Sequence, residues 1–121
     1  MPFQLRYQHG AAMSVAEISG LAFAEQAEDV VRAVQAHTLE QRDKRLLIDL
    51  TDVVGTLGPA EHQALGMLAV RYLSHLERVA SLVPEDKITR VSEAAAQSRG
   101  LRLKVFTDLT AAVEWLLAPT V

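Results

Sequence analysis

The 121-residue sequence predicts an α/β domain: a mixed sheet of about five strands with about four helices, in the order β-β-α-β-α-β-α-β-α. Three observations carry this. The spacing of apolar residues switches repeatedly between period 2 and period 3.6 along the chain. The run Leu46-Leu47-Ile48 is too short for a helix of its own and suits a buried strand. It passes into Asp49, Thr51 and Asp52, then Gly55, Gly58 and Pro59, which reads as strand, polar loop and helix start.

Taken in order, Phe3 to Gln8 alternates large apolar and polar residues, and His9-Gly10 turns the chain. Met13 to Ile18 alternates again, so the two segments form a hairpin closed by Ser19-Gly20. Between about Phe23 and Leu39, Ala27, Val30, Val31 and Val34 recur at helical spacing. Glu40 to Lys44 is a charged connection to the central strand. After Pro59, the stripe Ala64, Leu65, Leu68, Tyr72, Leu73 and Leu76 predicts a helix to about Leu76, with Glu61 complementing its positive end.

Val79 to Val83 reads as the next strand, stopped by Pro84. A third helix is expected over Asp86 to Ser98, with Ile88, Val91 and Ala95 inward and Gly100 beyond its end. Leu101 to Phe106 alternates as a strand. Thr107 or Asp108 then caps a last helix with Leu109, Ala112, Val113 and Leu116 inward, and Pro119 ends it. No internal repeat or linker interrupts the chain, so one domain over residues 1–121 is expected.

Composition narrows the function classes. A net charge of -3 gives no general pull towards nucleic acid or anionic membrane. The chain has no cysteine, which removes disulfides, thiol catalysis and cysteine-ligated zinc and fits a reducing compartment. No run is long and apolar enough for a membrane span, and the first residues resemble no signal peptide, so a cytoplasmic protein is expected.

Gly55-Thr56-Leu57-Gly58-Pro59 presents free N–H groups at a helix start, but lacks the Lys-Ser/Thr ending of a phosphate-binding loop. Two glycines making a tight turn is the simpler account. Asp49 and Asp52 would lie on opposite faces of a continued strand, where an acid–base or cation-binding pair needs convergence; a strand-end carboxylate capping loop N–H groups beside a solvated neighbour is the simpler account. His9, His37, His62 and His75 include no pair at the i, i+4 spacing of a helical zinc site, so no metal is expected.

The serines include no Gly-x-Ser-x-Gly elbow. Nor does a nucleophile with a base and an orienting partner emerge elsewhere, so no catalytic residue and no cofactor are expected. The basic groups Arg42, Lys44, Arg45 and Arg99, Arg102, Lys104 would need two neighbouring aromatics before single-strand binding could be argued. Tyr7, Tyr72, Phe23 and Trp115 are candidates to line an apolar pocket. Trp115 falls off the inward stripe of its helix, where it could equally anchor a partner or second copy, or cover the sheet edge.

The element order, with Lys44-Arg45-Leu46-Leu47-Ile48-Asp49-Leu50-Thr51-Asp52-Val53, resembles the STAS superfamily, and more closely its bacterial SpoIIAA-like (STAS/SEC14-like) group. Glu17-Ile18-Ser19-Gly20, Glu77-Arg78-Val79-Ala80 and Val105-Phe106-Thr107-Asp108 before Ala111-Ala112-Val113-Glu114-Trp115-Leu116 also match. The resemblance covers nearly the whole chain and implies a single-domain STAS/SpoIIAA-like fold. In anti-sigma-factor antagonists of the superfamily, a partner kinase phosphorylates a serine at the start of the helix after the central strand. Here that position falls on Gly58 and the preceding aspartate on Leu57, while Thr56, the nearby hydroxyl, is out of register by two residues.

The resemblance therefore implies a docking or regulatory domain without the usual phosphorylation switch. Its docking face would comprise Asp52, Gly55, Thr56, Leu57, Gly58, Glu61 and Arg71, with apolar anchors giving affinity and charges giving specificity. A protein partner is expected, and homodimerisation is compatible with the reading. The SEC14-like side of the resemblance suggests the alternative of a small carrier for an apolar ligand.

Overall fold

The computed structural model describes residues 4–21, 24–54, 58–87 and 90–119. Phe3, Phe23 and Ile88, each given a strand, pocket or core role above, lie outside the described residues. Strands β1 (Gln4–Gln8) and β2 (Ser14–Leu21) lead into helix α1 (Ala24–Glu40), then β3 (Arg45–Val54) and α2 (Pro59–Leu73). Strand β4 (Arg78–Leu82), a 3₁₀ turn at Glu85–Lys87, α3 (Val91–Gln97), β5 (Leu103–Phe106) and α4 (Leu109–Leu117) complete the order. The sheet runs β1-β2-β3-β4-β5, with β1 antiparallel to β2 and every later pair parallel. Each parallel step is bridged by a helix, as the strand geometry requires.

Alternation along the strands divides the core in two. On one face Ala16, Leu46, Val79, Leu103 and Val105 pack against Val34 of α1, Ala69 and Leu73 of α2 and Ala96 of α3. On the other, Leu47, Ala80 and Leu82 meet Ala112 and Leu116 of α4, with Phe106 and Trp115 alongside. Leu46, Leu73 and Leu116 are completely buried, and such a side chain contributes about 2 kcal/mol of hydrophobic stabilisation.

Four sequence expectations need correction. The polar stretch after Ile48 is strand, not loop: β3 continues to Val54, paired with β2 through Ser19↔Asp52, Gly20↔Val53 and Leu21↔Val54. Its polar residues are tolerated because β4 pairs with β3 only as far as Asp49↔Leu82, leaving a half-exposed two-stranded ribbon beyond. The segment expected as one helix from Asp86 is a 3₁₀ turn at Glu85–Lys87 and then a short α3 from Val91. Leu109 is 53% exposed rather than inward, because the first residue of α4 precedes its contact with the sheet. The α2 stripe also rotates: Gly66, Ala69 and Leu73 are buried, and Ala64 faces out.

Two helices end alike. After α1, Asp43 N donates to Thr38 O (2.9 Å) and Arg42 N to Leu39 O (3.2 Å). After α3, Leu101 N donates to Ala96 O (3.2 Å) and Gly100 N to Gln97 O (3.0 Å). These are Schellman caps, which place the residue before the last in the left-handed region. Gly100 takes that conformation (φ 93°) without a Cβ penalty; Arg42 takes it too (φ 56°), at about 1 kcal/mol. The strained turn delivers the Asp43 side chain into the fold, where it is only 2% exposed.

Asp43 ties the hairpin to the rest of the molecule. Ser14 Oγ donates to its Oδ1 (2.6 Å), His9 Nδ1 donates to the same oxygen (2.7 Å), and the Tyr7 hydroxyl donates to Oδ2. The Tyr7 ring stacks on His37 of α1 at 4.7 Å between centroids. Nearby, Thr38 spends its hydroxyl proton on Val34 O (2.9 Å), so His75 Nε2 must donate to Thr38 Oγ1 (2.8 Å). Burial raises the Asp43 carboxyl, but hydrogen bonds from Ser14, Tyr7 and His9 outweigh it and hold the pKa below 3.8. Burial lowers the His75 pKa from 6.5, and the charge of Asp43 offsets only part of this.

Both folded-state values lie below the unfolded ones. Each group therefore stabilises the fold above its unfolded pKa and loses that contribution as pH falls through the folded pKa. Unfolding free energy is expected to fall below about pH 6.5 as His75 charges, and again below the ordinary carboxylate range as Asp43 takes a proton. Urea unfolding at about pH 7, 5 and 2.5 measures both steps. The variant His75→Gln should flatten the first step and spare the second; an unchanged first step would reject the assignment to His75.

Candidate functional site

The expected docking face begins where β3 ends. Asp49 is held within its own strand: its Oδ1 accepts from Thr51 N (3.0 Å) and Thr51 Oγ1 (2.6 Å), so it serves as a local cap. Asp52 is exposed three residues further on, pairs in register with Ser19, and does not converge with Asp49. Gly55, Thr56 and Leu57 lie outside the described residues. Gly58 is the N-cap of α2, in extended conformation, and its N–H donates to Glu61 Oε1 (2.9 Å). Pro59 follows in the first turn, where its missing N–H leaves nothing unpaired.

Beyond that start, Ala60, Ala64, Met67 and Arg71 are all exposed. Their spacing puts them on one outward strip of α2. Arg71 reaches Glu28 of α1 at 3.8 Å, and the Tyr72 hydroxyl donates to the same carboxylate (2.8 Å). This pair fixes the flank of α2 against α1, and Glu28 as acceptor raises the Tyr72 pKa. The structure thus brings Gly58 and Glu61 into direct contact and leaves Asp52 and Arg71 at the two ends of the face.

Sequence spacing missed three constellations, the first two assembled from residues far apart in the chain. The first is the Asp43 corner. It contains serine, histidine and aspartate, yet its geometry is not that of a nucleophilic triad. Ser14 Oγ (3.3 Å) and Asp43 Oδ1 (2.7 Å) approach the same ring nitrogen of His9, and Ser14 is fully buried. A triad needs the two on opposite nitrogens, with the hydroxyl facing substrate. The second is a clamp of Arg45 and Arg78 on the end of α4. The third is a row formed by the α3 N-cap Arg90 and by Glu93 and Gln97 of α3, bonded to the backbone of β5. Among the described residues no group of three His, Asp or Glu is arranged to hold a metal ion. No described helix is long and apolar enough to cross a membrane.

Comparison with known proteins agrees with this architecture. An anti-sigma factor antagonist from Mycobacterium paratuberculosis superposes with a TM-score of 0.66 at 16% identity, covering 96% of this chain and 95% of that one. An uncharacterized protein with a SpoIIAA-like fold from Shewanella loihica gives 0.51 at 17% identity, over 95% and 94% of the two chains. At such identities the likeness is one of fold. No functionally curated protein matches the chain. The profile of the SpoIIAA-like family, however, matches residues 14–117, from the first residue of β2 to the last of α4, and the chain belongs to that family.

Proposed function

We propose that the chain is a non-catalytic regulatory module that docks a protein partner through the carboxyl end of β3 and the outer strip of α2. The observation that carries this is the strip itself. Ala60, Ala64 and Met67 leave a low, apolar surface on α2, bordered by Glu61 at one end and Arg71 at the other. Small side chains allow close approach of a partner helix or sheet, Met adapts its shape to it, and the flanking charges select orientation. The fold shared with an anti-sigma factor antagonist supports a regulatory role. Asp52, Gly58, Glu61 and Arg71, with Gly55, Thr56 and Leu57 between them, form the proposed face.

The test is affinity capture from the native lysate with the wild type and with Ala64→Glu/Met67→Asp, both at exposed positions of the strip. A stoichiometric partner is expected on the wild type, with retention reduced at least tenfold on the variant and thermal stability unchanged. A partner indifferent to the variant would remove α2 from the interface. A copurified lipid seen by native mass spectrometry, without any protein partner, would favour the apolar-carrier alternative.

A further inference from the structure

The edge of the sheet at β5 carries a second surface that shares no residue with the α2 face. Arg102 and Lys104 are exposed, two residues apart, and neither forms an ion pair among the described residues. They border an open groove of about 370 Å³ whose remaining walls are Gln97, Gly100, Leu101 and Trp115. Trp115 is held in place from behind. Its ring meets Phe106 at 5.7 Å, the Arg78 guanidinium lies 5.7 Å from its centroid, and Arg78 also donates to the Trp115 carbonyl (2.7 Å). Lys104 Nζ lies 5.5 Å from the Phe106 ring centroid.

An edge strand with such neighbours would ordinarily invite an added strand. Here the backbone is already engaged. Leu103 N donates to Leu101 O (3.0 Å), and Leu103 O accepts from Gln97 Nε2 (2.9 Å). Val105 N donates to Glu93 Oε2 (2.8 Å), and Val105 O accepts from Arg90 (2.7 Å). What the groove still offers is side chains: two cations that form no ion pair among the described residues, Lys104 resting over the Phe106 ring, and a fixed indole. Tryptophan and arginine are the residue types that dominate binding energy when a partner desolvates them. On a chain of net charge -3, an unpaired cationic pair is complementary to carboxylates. A nucleic-acid strand needs more cations and a second open ring, and here the Phe106 ring is engaged by Trp115 and Lys104.

We propose that this groove docks an acidic segment of a partner protein through side-chain contacts, with carboxylates on Arg102 and Lys104 and an apolar side chain against Trp115. Trp115 is the single tryptophan of the chain, so its fluorescence reports the site directly. The probe is the capped peptide Glu-Glu-Leu-Glu-Glu, titrated into the full chain beside its lysine-for-glutamate counterpart. A saturable change in emission is expected with the acidic peptide alone. It should weaken at least tenfold in Arg102→Glu/Lys104→Glu, and similarly when salt rises from roughly 50 to roughly 500 mM. Arg102→Gln/Lys104→Gln, which adds no new charge, should weaken binding in the same direction and guards against misfolding of the reversal. No saturable change in the wild type, or an equal response from the reversal variant or the lysine peptide, overturns the proposal. So does a response to oligothymidylate without one to the peptide. A dimer in light scattering that the reversal dissociates would make a second copy the occupant and equally reject it.

Discussion

Replacing Asp43 with alanine is expected to lower the unfolding free energy by about 3 kcal/mol at neutral pH, among the largest single-site losses in the molecule. The loss has two parts. The carboxylate accepts from Ser14, His9 and Tyr7, three donors contributed by one hairpin, so its removal unties that hairpin from the α1–β3 connection. It also leaves donors behind: Ser14 is fully buried, and a buried hydroxyl without an acceptor costs about 1–3 kcal/mol. Asp43→Asn keeps the size but points an amide NH₂ at a site lined with donors, so it should recover less than half of the loss. Equilibrium urea unfolding of the two variants measures both terms. An alanine variant within about 0.5 kcal/mol of the wild type would show that the corner contributes no more than an ordinary surface network. Within the Asp43→Ala background, the further change Ser14→Ala should recover only part of the loss: it removes an orphaned donor, but Ser14 Oγ also accepts from Gly10 N (3.2 Å).

The expected order of elements was readable because strands and helices here declare themselves locally, by apolar period and by Gly and Pro boundaries. The second half of β3 was not. Asp49, Thr51 and Asp52 look like a loop because local polarity signals exposure, and this ribbon is exposed; only its pairing with β2 makes it strand. The interruption before α3 was hidden in the same way, since its residues carry helical spacing across a turn. At the proposed docking face, Gly58, Glu61 and the first turn of α2 were legible, because capping is a short-range interaction. The Asp43 corner was not, since Tyr7 and His9 lie 36 and 34 residues from Asp43 along the chain, and spacing rules reach only a few residues. Arg78 was the least legible of all. At the start of a strand an arginine reads as solvated, yet here it is 8% exposed and holds another element in place.

That arginine leads to the second large effect. Its guanidinium donates to Trp115 O (2.7 Å) in the last turn of α4, to Ala118 O (2.8 Å) at its C-cap and to Pro119 O (3.4 Å) just beyond. Arg45 adds a bond to Leu116 O (2.8 Å) from the neighbouring strand. The positive charges also sit at the negative end of the helix macrodipole, and Arg78 packs over the Trp115 ring. α4 alone among the described helices covers the second face of the sheet, through Ala112 and Leu116, so the clamp holds one of the two core layers closed. Arg78→Met preserves most of the stem's packing and removes the donors, and should lower the unfolding free energy by about 2–4 kcal/mol. Arg78→Lys keeps the charge but cannot span three carbonyls with a planar fork, so an intermediate loss is expected. Trp115 separates a local from a global effect. If the clamp acts on α4, its emission should shift to the red before the far-UV circular dichroism changes in a denaturant titration of Arg78→Met, whereas coincident transitions would mean that Arg78 stabilises the whole domain rather than the docking of one helix.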